Sequence, residues 1–73
     1  MSQEQAVEII RTHFAHVKVE RIVVEYDPLV KSDVAKVFVR DDQLEAASAE
    51  NGLYARRAAM QSGLDVEVVL SGN

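Results

Sequence analysis

The chain has 73 residues, 12 Asp and Glu against 8 Lys and Arg, a net charge of −4, and no cysteine. That length allows one small domain over residues 1–73, and the missing thiols exclude a disulfide framework. Two histidines without cysteine also exclude an ordinary structural zinc site, which wants four nitrogen or sulfur ligands.

At this size folding buries only about 60% of the surface that the open chain exposes. The core must be dense, or a second chain must complete it. No apolar run approaches the roughly 18 residues of a membrane span, and Met1-Ser2-Gln3-Glu4 is not a signal-peptide start. The expected setting is cytoplasmic and soluble. The acidic balance and the scattered cations argue against a dedicated nucleic-acid binder.

Residues 2–16 read as a helix. Ser2 is a good N-cap with Gln5 three residues on, the spacing of a capping box. Ala6, Val7, Ile10, Phe14 and Val17 recur at helical spacing and form one apolar stripe. His13 lies beside that stripe, and His16 is placed to cap the helix end. Residues 18–26 then alternate as a strand: Ile22, Val24 and Tyr26 share one face, and Arg21, Val23 and Glu25 share the other. The segment from Asp27-Pro28 to Asp33 is a hairpin connection. Residues 34–40 form the second strand, with Ala35, Val37 and Val39 expected inward and Val34, Lys36, Phe38 and Arg40 outward.

Asp42 followed by Glu45 has capping-box spacing, so a helix is expected from Asp42 towards Gln61, with Gly63 as its stop. Asn51-Gly52 interrupts it. The segment is either one kinked helix, the preferred reading, or two helices over 42–50 and 53–62. Leu64 to Leu70 is the last strand, with Val66, Val68 and Leu70 inward and Asp65, Glu67 and Val69 outward; Ser71 to Asn73 is expected to fray.

This order, α-β-β-α-β, defines an α+β two-layer sandwich, with two helices on one face of a three-stranded mixed sheet. The last strand pairs in parallel beside the second.

The other sheet face is then bare. Phe38 stands on it between Lys36 and Arg40, and Val23, Phe38 and Val69 are expected to form an apolar stripe. The leading functional expectation is a non-enzymatic protein-interaction module, a homodimer, acting through Arg21, Val23, Lys36, Phe38, Arg40 and Val69. The alternative is a module for RNA or single-stranded nucleic acid that uses Lys36, Phe38, Arg40, Arg56 and Arg57.

If the second helix is split, the order α-β-β-α-α-β resembles the type II KH arrangement and the related BolA-like one, and the resemblance implies RNA binding. The KH Gly-x-x-Gly loop is not present: Asn51-Gly52-Leu53-Tyr54 has a single glycine. The order also resembles a ferredoxin-like domain lacking its first strand, an arrangement too common to imply a function.

His13 and His16 are three apart on one helix but lack a further ligand, so no metal site is expected. Asp27, Asp33 and the Asp41-Asp42 pair read as turn and cap residues rather than acid–base groups. No phosphate loop, nucleophile elbow or cofactor motif is present. Neither a cofactor nor a catalytic residue is expected.

Overall fold

The computed structural model describes residues 2–72. Its elements are α1 (Gln3–His13), β1 (Val19–Asp27), β2 (Ser32–Val39), α2 (Asp41–Ala47), α3 (Ala49–Ser62) and β3 (Asp65–Leu70). The sheet order is β1-β2-β3, with β1 antiparallel and β3 parallel to β2. This is the expected α+β sandwich. Its helical layer holds three helices, so the split of the second helix is the reading that the structure takes.

The α1 capping box forms: Gln5 N donates to Ser2 Oγ at 3.2 Å, and Ser2 N donates to Gln5 Oε1 at 2.9 Å. The helix ends at His13, short of residue 16. Phe14, Ala15 and Val17 donate instead to carbonyls three residues back, a tight turn that swings Phe14 into the core.

At α2 the expected cap is not used. The helix begins at Asp41, and Arg40 occupies the N-cap position with no side-chain hydrogen bond. Arg40 still has the extended backbone of the strand before it, so the helix starts as soon as β2 ends. Asp41 and Asp42 fall in the first turn, where the helix dipole favours acid. For the same reason Arg40 lies outside β2, which stops at Val39.

Three consecutive residues, Glu50, Asn51 and Gly52, have left-handed backbones with φ of 56°, 58° and 75°. Such a run stops the right-handed ladder, and regular helix resumes at Leu53. The interruption is wider than Asn51-Gly52 and includes Glu50, a residue with a Cβ that is disfavoured there. Gly63, at φ 77°, closes α3 in a left-handed cap as expected.

The core lies between the helices and one sheet face. Ile10, Phe14, Ala35, Val37, Val39, Ala47 and Ala58 are buried in it, with Ile22, Val24, Val66 and Val68 packed around them. Two residues of the inward face are not buried. Tyr26 and Leu70 share the face of Val24 and Val39, as expected, yet are 62% and 46% exposed, because both sit near strand ends beyond the helical cover. One outward assignment changes as well: Val34 is on the open face yet buried, flanked by Glu25 and Asp65 in its row. Ser71 is tied rather than frayed, since its N–H donates to Val39 O at 2.7 Å; Asn73 lies outside the described residues.

Ile10→Ala is expected to lower unfolding free energy by about 2–5 kcal/mol in a denaturant titration, the range for truncating a buried aliphatic side chain. Gly52→Ala should cost about 1 kcal/mol in the same experiment, because a Cβ at that left-handed position is strained although it would make only an ordinary contact, 3.9 Å to Arg56 Nη1.

Candidate functional site

The open face is built by alternation along three strands. The register places Arg21, Phe38 and Val69 in one row, Val23, Lys36 and Glu67 in the next, and Glu25, Val34 and Asp65 in the third. These nine residues are the outward set expected from the sequence, with Arg40 left out. The expected stripe is not straight: Phe38 and Val69 are neighbours, but Val23 stands opposite Lys36.

A one-residue irregularity at Glu20 makes this face possible. Val19 pairs with Val39 and Arg21 with Phe38, so Glu20 is extra. Val19 can therefore point into the core while Arg21 points out, an arrangement that strict alternation forbids. Glu20 in turn lies 4.0 Å from the Arg40 guanidinium.

Phe38 is not a bare platform. The Arg21 guanidinium carbon sits 4.0 Å from the centre of its ring, a cation–π contact across neighbouring strands. Lys36 is engaged too, with Nζ 3.0 Å from Glu25 Oε1. Its hydrogen bond and charge attraction to Glu25 hold the ammonium pKa above the ordinary lysine value, with Glu67 and Asp27 adding to the effect and partial desolvation opposing it. At the hairpin end, Ser32 Oγ donates to Asp65 Oδ2 at 2.9 Å and clips β2 to β3. The face thus carries two cations, Arg21 and Lys36, against three anions, Glu25, Asp65 and Glu67. Acid is in slight excess, and the face offers no surplus of positive charge.

The alternative set does not converge on one surface. Lys36 and Phe38 are on the open face. Arg56 and Arg57 are exposed on α3, in the helical layer on the far side of the sheet. The Arg56 guanidinium also donates to the Asn51 carbonyl, bracing the left-handed turn.

The histidines have structural partners. His13 Nε2 donates to Gln61 Oε1 at 3.0 Å, which joins α1 to α3. His16 Nε2 donates to the Ala46 carbonyl at 3.2 Å, and its ring lies 4.1 Å from that of Tyr54. His16 therefore caps the end of α2 instead of α1. Asp27 accepts from Leu29 N at 2.9 Å in the hairpin turn. Among the described residues no three His, Cys, Asp or Glu side chains cluster as a metal site would require. No helix among them is long and apolar enough to cross a membrane.

Sequence reasoning left Glu25 out of the contact residues. Its signal was present: Arg21 and Glu25 stand two places either side of Val23, on the same face and with opposite sign. The chain matches no family model, no curated protein and no solved structure.

A double-mutant cycle of Arg21→Ala and Phe38→Ala should give a coupling of about 0.5–1 kcal/mol in unfolding free energy, the size of an exposed cation–π contact. Additive single effects would mean that the guanidinium and the ring do not interact.

Proposed function

We propose that this chain is a non-enzymatic protein-interaction module that associates with a second copy of itself, with the open sheet face and its β1 border as the contact surface. The observation that carries this reading is the uncovered face. Half-buried Val23, Phe38 and Val69 lie there among charges of both signs, while all three helices pack on the opposite side.

Such a face has the composition of an interaction rim and core in small scale: an aromatic and two valines, with Arg21 and Lys36 around them and Arg40 just beyond the end of β2. A chain this short leaves much apolar surface uncovered when it folds alone. A second copy supplies cover without any further gene product.

The same geometry ranks the nucleic-acid reading below. A phosphate backbone is attracted by unpaired cations, whereas Lys36 is paired with Glu25 and Arg21 is seated on the ring that a base would use. Arg56 and Arg57 lie on the other side of the sheet and add nothing there.

Light scattering over a concentration series should give a dimer mass for the native chain. Phe38→Ala should shift the midpoint to higher concentration with the far-ultraviolet circular dichroism unchanged. A native chain that stays monomeric to millimolar concentration sinks the reading. Binding of short mixed oligonucleotides that weakens steeply with salt would favour the alternative.

A further inference from the structure

We infer that two copies join edge to edge, β1 against β1 in antiparallel register about Val23, to form one six-stranded sheet; this inference rests on the self-association proposed above. β1 is an edge strand, so one side of its backbone has no partner among the described residues.

The inward side chains of β1 show that this edge is underused. In central β2, Ala35, Val37 and Val39 are fully buried. In β1, the inward Val19, Ile22 and Val24 all remain half-exposed. α1 packs mainly on α3 and touches β1 lightly, so it does not seal this border.

The sequence of β1 is complementary to itself when reversed. Val23 is the midpoint of Val19–Asp27, and the extra residue at Glu20 confines regular pairing in this register to the central Arg21–Glu25 stretch. It sets Arg21 opposite Glu25 of the second copy and Glu25 opposite its Arg21, two ion pairs related by the two-fold axis. Val23 meets Val23 between them. On the helical side Ile22 meets Val24, twice, and covers the aliphatic surface that one copy leaves open. No acid stands directly opposite an acid.

The other edge lacks these properties. β3 carries Asp65 and Glu67 and no cation, so no register of β3 against itself forms an ion pair. A slip of β1 to a register about Val24 also pairs Arg21 with an acid, Asp27. That slip, however, sets Val23 against Glu25, a valine against an acid on each side of the axis. Over Arg21–Glu25, the register about Val23 is the one that matches apolar with apolar and charge with opposite charge.

Single cysteines test this directly, because the native chain has none. Directly opposed residues of an antiparallel pair have Cα atoms about 4.5–5.5 Å apart, within disulfide reach. Under mild oxidation at a concentration where the native chain is dimeric, Val23→Cys should cross-link as a covalent dimer. Arg21→Cys and Glu25→Cys should each stay uncross-linked, since the register separates each from its own copy by about 13 Å along the strand. The double variant Arg21→Cys/Glu25→Cys should cross-link again.

Charge reversal gives a second reading. Arg21→Glu should raise the dissociation constant about tenfold or more, since each change counts twice at a two-fold interface. Arg21→Glu/Glu25→Arg should restore it, with thermal melting confirming that both variants fold. Cross-linking at Val24→Cys instead of Val23→Cys overturns the register. A native dimer whose strength ignores both β1 variants but falls with Phe38→Ala overturns the edge pairing and leaves the open-face reading standing. A native monomer overturns both.

Discussion

Strand β2 has a neighbour on each side and a purpose on each face, and the rest of the structure is arranged around it. Its pairing with β1 is local, closed by a short hairpin. Its pairing with β3 is parallel, so the chain must cross over the sheet to reach it, and α2 and α3 are that crossover. The inward side chains of β2, Ala35, Val37 and Val39, are the floor on which all three helices rest. Its outward side chains, Val34, Lys36 and Phe38, form the middle column of the open face. One strand thus fixes both the core and the surface available to a partner.

That surface is held by pairwise contacts rather than by bulk hydrophobicity. Arg21 rests on Phe38, Glu25 holds Lys36, and Ser32 holds Asp65. Each contact links two strands, so together they lace the face from β1 to β3. Exposed pairs of this kind add little stability singly. Their larger effect is to keep the side chains in fixed places, so that a docking partner meets an ordered pattern of charge. Order of this kind reduces the entropy lost on association.

Much of this was legible in the sequence, and the failures have physical causes. Alternation alone separates Arg21, Val23 and Glu25 from Ile22 and Val24, because a strand places successive side chains on opposite faces. The valines of 34–39 and 66–69 declare their strands through β-branching, and Ser2-x-x-Gln5 declares the start of α1. The seat of Arg21 on Phe38 was not legible. It depends on the extra residue at Glu20, and a bulge belongs to the pairing of two strands rather than to either one. The start of α2 was misplaced because the Asp42–Glu45 spacing is only a local preference. The end of β2, a tertiary feature, sets where that helix begins. Asn51-Gly52 correctly marks a break in the helix, but nothing in its neighbours announces that Glu50 joins the left-handed run. The KH-like element order appears once the helix is split, yet the cations that would serve nucleic acid are divided between the two sides of the sheet.

The acidity of β3 has a consequence for how far a sheet of this kind can grow. Any sheet with free edges can recruit more strands, and repeated recruitment makes a fibre. Asp65 and Glu67 project from the same face of the β3 edge strand. Bringing two such edges together crowds four carboxylates along one seam. The repulsion acts as a gatekeeper on a run that is otherwise rich in valine. With β1 paired to itself as proposed, the acidic β3 edge would let the sheet double once and then stop, and so avoid filament growth without a separate capping element.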